Sequence, residues 1–260
     1  MLDIRVLVFS CFLALPYVAA IEPSQLDIQL NSALATNANK VVFGSVVQIS
    51  GLRHWTDGQI VHLAIQAHKA VNAKCMETFT DDFKKKNPNL STTKPRVTTT
   101  MVLDDTAYIS SSLTGGPYLY IPEVNPKSDE PRFKQLDPLH PCDGPVKDAL
   151  LACQVHSVAK SGHRTGASCG EPMAMMAFCA TRNVGNLNGA KILTIMGRDN
   201  PDIIPPCVNP GATLAYQGEW GCHDFTTQNG LGMRVIPKGT NALAIVVPDS
   251  DITVSRVTWG

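Results

Sequence analysis

Three cysteines and one glutamate have the residue types and setting of a hydrolytic zinc site. Cys169 and Glu171 lie two residues apart, directly before Pro172 and an apolar run that is typical of a buried helix. Cys207 follows two prolines, and Cys222 comes after fourteen intervening residues. Three thiolates can hold zinc and leave its fourth position to water, while a carboxylate beside it moves the protons of that water. The residues therefore predict a zinc-dependent hydrolase.

The beginning of the chain has the pattern of a secretory signal peptide. Arg5 precedes an apolar run over residues 6–15, and small residues follow at 18–20. The run is too short to span a bilayer, so we expect cleavage after residue 20 and a secreted, extracellular protein without a membrane segment. With 22 basic and 22 acidic residues, the chain has no net positive charge that would favour binding to long nucleic acid or to an anionic membrane.

Seven cysteines remain once Cys11 leaves with the signal peptide, and disulfides cannot use an odd number completely. Three zinc thiolates would leave an even number to form disulfides: Cys75, Cys142, Cys153 and Cys179. A pair between Cys142 and Cys153 would close a short loop. Asn89 begins a glycosylation sequon in a polar loop, which predicts a glycoprotein if the host glycosylates.

The remaining patterns indicate alternating helices and strands. Apolar residues from Ile60 to Phe83 recur three or four apart behind a Thr56–Asp57 cap, which predicts one long helix. A threonine- and valine-rich run over 96–103, the Asp104–Asp105 turn and a second run over 106–113 predict a hairpin. The other expected elements are a helix over 24–35, a strand over 40–49, helices over 146–160, from 173 and over 223–230, and strands over 190–196, 233–236 and 242–247. The last two strands are joined by a link too short for a parallel crossover and should be antiparallel.

These elements suggest a division of the mature chain. Residues 21–55 are expected to form an N-terminal extension, and residues 56–260 the main domain. The proline- and charge-rich stretch over 117–145 is expected to be a surface insertion.

The order of motifs and elements resembles the cytidine deaminase-like superfamily over about residues 56–247. Cys169-Gly170-Glu171 and Pro206-Cys207 carry the resemblance, and the antiparallel last pair is most similar to the branch that holds cytidine deaminases and secreted deaminase toxins. The resemblance implies an α/β fold: a three-layer, deaminase-like sheet of about five strands, flanked by helices.

The resemblance also implies the roles of individual residues. Cys169, Cys207 and Cys222 would bind zinc, and Glu171 would shuttle protons during hydrolytic deamination of a nucleobase, nucleoside or nucleic acid. Thr114 and Gly115 would lie at the rim of the substrate pocket, and the protein would act as an effector or toxin. The family has two residues between its last two cysteines, where this chain has fourteen, so His223 is an alternative ligand.

Other interpretations compete with a zinc site. Cys207 and Cys222 could form a mutual disulfide, and Cys169 could be a nucleophile beside His163 or His223. Glu171 could simply favour a helix N-terminus. The protein would then be a non-enzymatic, disulfide-stabilised secreted effector or interaction protein. The chain has no Gly-x-Ser-x-Gly and no His-Glu-x-x-His, which disfavours a serine hydrolase and a zinc peptidase.

Overall fold

The computed structural model describes residues 20–91, 93–116, 122–123, 132–133, 143–156, 163, 165–182, 187–207, 221–227 and 231–255. Residues 1–19 of the predicted signal peptide, most of the predicted insertion and Cys142 lie outside these ranges. Within the described part of the chain, no helix combines the length and the apolar character that crossing a membrane requires.

An eight-stranded sheet forms the centre of the fold. Its strands are β1 (Gln29–Leu30), β2 (Phe43–Ile49), β3 (Val97–Leu103), β4 (Thr106–Ser111), β7 (Lys191–Met196), β8 (Asp202–Ile204), β9 (Arg234–Val235) and β10 (Ile252–Ser255). The order is β1-β2-β4-β3-β7-β8, with β10 also pairing with β2 and β9 with β7. All pairs are antiparallel except β7 with β9. A separate two-stranded pair joins β5 (Pro122–Glu123) to β6 (Arg132–Phe133).

Helices cover both faces of the sheet. The helices are α1 (Ser32–Ala38), α2 (Asp57–Thr78), α3 (Asp81–Lys86), α4 (Asp143–His156), α5 (Gly170–Thr181) and α6 (Cys222–Thr226). Side chains alternate along each strand, so Val102 packs with α2 in one core cluster and Met101 packs with α5 in the other. The α/β class predicted from the sequence is therefore confirmed, with helical layers on both sides of the sheet.

Local capping and turn residues explain the elements that the sequence predicts well. Thr56 and Gln59 form a capping box at the start of α2, and the predicted hairpin forms with Leu103 opposite Thr106. The apolar stripe after Ile60 does not form one helix, because α2 ends at Thr78 and Thr80 caps the separate helix α3. The strands over 40–49 and 190–196 are present as β2 and β7.

Several sequence-based expectations about the strands, and one about a helix, are wrong. The sheet has eight strands rather than about five. The segments 233–236 and 242–247, expected to form an antiparallel pair, do not pair with each other. Residues 234–235 form β9 parallel to β7, whereas residues 242–247 contribute only a bridge between Val246 and Ala20. The C-terminal tail contains β10, which pairs with β2. The expected helix over 24–35 is instead a 3-10 turn, β1 and the beginning of α1.

The sheet extends across the predicted boundary at residue 55. β2 lies in the predicted N-terminal extension, yet it pairs along its length with β4 of the hairpin. Phe43, Val47 and Ile49 on this strand are fully buried. Residues before the boundary therefore supply part of the same core as α2.

Candidate metal centre

The site begins where α5 starts against the central strand β3. Cys169 is the N-cap of α5, and Gly170 is the first residue of the helix. A Cβ atom on Gly170 would come within 2.9 Å of the Thr99 Cβ, closer than packed side chains approach, and would overlap the Thr99 hydroxyl. Glycine at this position allows the helix start to touch the sheet, which brings the next side chain, Glu171, over the strands.

Glu171 is held in the interior by hydroxyl groups of two neighbouring strands. Its carboxyl group accepts a 2.8 Å hydrogen bond from Thr194 of β7, and Thr194 Oγ1 lies 2.7 Å from the Thr99 hydroxyl of β3. Only 4% of Glu171 is exposed. Burial raises the pKa of this carboxyl group, and negative charge on Cys207 raises it further. A buried carboxyl with a raised pKa is suited to exchange protons at neutral pH.

Three cysteine sulfurs and one imidazole converge next to this carboxyl group. The ligand atoms of His163, Cys169, Cys207 and Cys222 all lie within 4.8 Å of one another. Cys169 Sγ and Cys207 Sγ are 3.7 Å apart, which is far too long for a disulfide. Metal–sulfur bonds of about 2.3 Å in a tetrahedron place two sulfurs about 3.8 Å apart. The donor set and its spacing therefore fit a zinc ion.

The two later cysteines meet because the chain returns to the same point. Cys207 comes shortly after β8, and Cys222 is the first residue of α6. The Cys222 N–H donates to Cys207 Sγ at 3.1 Å, and the His223 N–H donates to the Cys207 carbonyl at 3.1 Å. Fourteen intervening residues thus do not separate the thiols in space.

The cysteines differ in exposure and in charge. Cys169 and Cys207 are half-buried, whereas Cys222 is fully buried. Hydrogen bonds from the Cys169 and Cys222 thiols hold the pKa of Cys207 well below its usual range. A lowered pKa favours the thiolate form of Cys207, which is the form that binds metal.

His163 belongs to the cluster although the sequence did not single it out as a ligand. The side chain is buried, and its Nε2 lies 3.5 Å from Cys222 Sγ. Its Nδ1 accepts N–H groups from Thr165 at 3.1 Å and Ala167 at 3.2 Å. The only signal for His163 in the sequence is its place in the loop six residues before Cys169. His223, the alternative ligand predicted beside Cys222, is not a member of the cluster.

Thr114 and Gly115 follow the end of β4, and the residue before them, Leu113, is hydrogen-bonded to the segment that leads into α5. The Leu113 N–H donates to the carbonyl of Ser168, the residue before Cys169, at 3.0 Å. Thr114 pairs with Val41 in an isolated bridge, and its hydroxyl is buried without a hydrogen-bond partner. Their contact with a substrate stays a prediction.

The disulfides expected from the sequence are not formed among the described cysteines. Cys75, Cys153 and Cys179 are free and buried, and the three cysteines of the metal cluster are free as well. The fourth candidate, Cys142, lies outside the described residues. Cys75 packs in the hydrophobic core beneath α2, while Cys153 and Cys179 pack in the core beneath α5, on the other face of the sheet. The mutual Cys207–Cys222 disulfide is likewise not formed. Asn89 is exposed, as glycosylation requires, but its modification stays a prediction.

Comparisons with known proteins give no match for this chain: no protein-family model, curated protein or solved structure matches it. The four converging ligand atoms beside Glu171 are therefore the structural basis of the proposed function.

Proposed function

We propose that this protein is a zinc-dependent hydrolase that deaminates a nucleobase, nucleoside or nucleic acid. The observation that carries the proposal is the convergence of Cys169, Cys207 and Cys222 beside a buried glutamate. A zinc ion there would be held by thiolates, with a general acid/base two residues from one ligand. The sequence resemblance to the cytidine deaminase-like superfamily supplies the substrate class.

The reaction would replace an exocyclic amino group by oxygen. Zinc would supply a Lewis acid that lowers the pKa of water from 15.7 to about 7. Glu171 would take one proton from the attacking water and deliver it to the ring nitrogen. It would then carry the remaining proton of that water, now on the new hydroxyl group, to the leaving amine, so that the C–N bond breaks, the carbonyl forms and ammonia departs. Water and the amine are consumed, and a carbonyl and ammonia are formed.

Burial equips Glu171 for both directions of this transfer. A carboxyl group with an ordinary pKa would hold its proton too weakly to deliver it at neutral pH, and burial raises that pKa. The hydrogen bond from Thr194 fixes the rotamer of the side chain. A positioned acid/base contributes about 10²- to 10⁴-fold to a reaction rate.

A structural metal site is the second candidate function. His163 could act as a fourth ligand, because its Nε2 lies as close to Cys222 Sγ as two ligands of one zinc ion. A closed site of three cysteines and one histidine would have no position for water. The protein would then be a metal-stabilised effector or interaction protein without catalysis.

The deciding experiment combines metal analysis with ammonia release. Purified protein should hold about one zinc per chain and release ammonia from at least one member of a panel of cytosine and adenine bases, their nucleosides and single-stranded nucleic acids. Glu171→Gln should keep the zinc and reduce ammonia release by about 10²-fold or more. Glu77→Gln is the matched control, because Glu77 is exposed on α2, which packs in a different core cluster from α5.

The possible results separate the two candidates. Zinc without ammonia release from any substrate in the panel would favour the structural site. Full activity in Glu171→Gln would show that this carboxyl group is not the proton shuttle. We further propose that the protein acts outside the cell as an effector or toxin, in line with its predicted signal peptide.

A further inference from the structure

The hydrogen bonds of His163 define which of its ring nitrogens carries a proton. Backbone N–H groups of Thr165 and Ala167 both point at Nδ1, at 3.1 and 3.2 Å. An N–H group donates only to a lone pair, so these two bonds favour an unprotonated Nδ1, and the Thr165 hydroxyl also lies 3.2 Å from Nδ1. In the neutral ring the proton is then on Nε2, the nitrogen that faces Cys222 Sγ.

This tautomer is incompatible with a metal bond from Nε2. A neutral imidazole that binds metal through Nε2 carries its proton on Nδ1, where it normally donates to a carbonyl or carboxylate. Here that proton would meet two backbone N–H groups of the loop from 165 to 167. The 3.5 Å separation between Nε2 and Cys222 Sγ suits an N–H···S hydrogen bond equally well.

Each sulfur of the cluster has at least one hydrogen-bond donor next to it, and Cys207 has several, because His163 also forms a hydrogen bond with it. Cys222 Sγ has His163 Nε2 at 3.5 Å, and Cys207 Sγ accepts the Cys222 N–H at 3.1 Å. The Thr165 hydroxyl lies 2.9 Å from Cys169 Sγ, and it must be the donor once that sulfur is a thiolate. Three thiolates exceed the charge of one zinc ion by one negative charge, and the donors offset this excess.

We propose that His163 is a positioning residue that donates Nε2–H to the Cys222 thiolate and stays off the metal. Together with Thr165, it would orient the thiolates and leave the fourth coordination position to water. The proposal rests on the proposed function, because it explains why a site with four candidate ligand residues would still be open to catalysis.

The tautomer can be measured directly in the zinc-loaded protein. Nitrogen-15 NMR of the histidine side chains should show a protonated Nε2 and an unprotonated Nδ1 for His163, assigned by its loss in His163→Gln. Zinc X-ray absorption should show three sulfur ligands and no outer-shell imidazole scattering. Imidazole scattering that disappears in His163→Gln, or a protonated Nδ1, would overturn the proposal.

Variants add a second measurement. His163→Gln and Thr165→Val should each keep about one zinc per chain but weaken zinc affinity about 10- to 100-fold, as loss of an outer-shell partner does. Thr165→Ser should restore the affinity because it restores the hydroxyl. His223→Gln is the matched control, since His223 adjoins Cys222 but is outside the cluster. Unchanged zinc affinity in both His163→Gln and Thr165→Val would overturn the donor role.

This test is independent of the test for deamination. Zinc with the expected tautomer but no ammonia release would defeat the proposed function and leave the role of His163 intact. Ammonia release together with imidazole ligation would support the proposed function and overturn the proposed role of His163.

Discussion

Thr194 donates a 2.8 Å hydrogen bond to the buried carboxyl group of Glu171. Because the single hydroxyl proton of Thr194 is used in this bond, Thr99, which is 2.7 Å away, must donate to Thr194. Thr99 and Thr194 are opposite each other in the register of β3 and β7. The direction of the Glu171 side chain is thus set by two paired strands at the centre of the sheet.

Replacing Thr194 by valine should therefore impair Glu171 without unfolding the protein. A hydrogen bond to a charged group contributes about 1.5–3 kcal/mol, which corresponds to a fall in kcat of about 10- to 100-fold. Zinc content should be unchanged, because Thr194 is not among the clustered ligands. Steady-state kinetics on the best substrate and metal analysis of the same sample measure the two effects.

Thr194→Ser provides the matched control because it keeps the hydroxyl. We expect it to recover most of kcat and to restore the wild-type pH profile, which the valine variant should shift. Equal loss in the serine and valine variants would contradict the role of the hydrogen bond, because the serine variant keeps the hydroxyl.

The sequence predicted the placement of Cys169 and Glu171 much better than the way in which Cys207, Cys222 and His163 join them. Cys169 and Glu171 are two residues apart at one helix start, so local rules suffice to relate them. Among the described residues, Cys207 and Cys222 are joined by hydrogen bonds from the Cys222 and His223 N–H groups to Cys207, and local sequence rules do not predict these contacts. The sequence around His163 has no periodicity, and it suggested His163 only as a partner for a nucleophilic Cys169 and not as a member of a metal cluster.

The C-terminal strands show a second limit of local patterns. Residues 242–247 have the composition of a strand, but the Leu243 N–H donates to the carbonyl of Gly58 near the start of α2. Arg234 of β9 and Lys191 of β7 both form ion pairs with Asp57 at the same helix start. These long-range contacts explain why β9 pairs in parallel with β7 instead of forming a hairpin with the following segment.

The buried thiols outside the cluster should be reduced and unreactive in the folded protein. Burial raises the pKa values of Cys75, Cys153 and Cys179 to about 12 each, so at pH 8 only about one in 10⁴ of these groups would be a thiolate. We expect no labelling by a thiol reagent in the native state and complete labelling after unfolding in a chelator without reductant. Peptide mapping by mass spectrometry assigns the label to each cysteine. Thiols that stay unlabelled after unfolding would reveal the disulfides that the sequence predicts for a secreted chain.

His68 should make the fold sensitive to mild acid. Its side chain is 2% exposed, and its Nε2 donates to the Gly197 carbonyl at 3.0 Å while Nδ1 accepts from the Thr98 hydroxyl at 3.0 Å. Burial lowers the pKa of His68 below its value of about 6.5 in the unfolded chain. Between these two pKa values the unfolded state binds more protons, so the free energy of unfolding falls as the pH decreases below about 6.5.

Urea denaturation between pH 7.5 and pH 5 measures this loss of stability. Each unit of difference in pKa contributes about 1.4 kcal/mol once the pH is below both values. His68→Gln removes the titrating group, so its curve of unfolding free energy against pH should be flatter than that of the wild type. His54→Gln, at an exposed position before α2, should leave the wild-type slope unchanged. Metal loss at low pH affects all three proteins alike, so only the difference in slope reports on His68. Identical slopes for wild type and His68→Gln would mean that the acid sensitivity arises elsewhere.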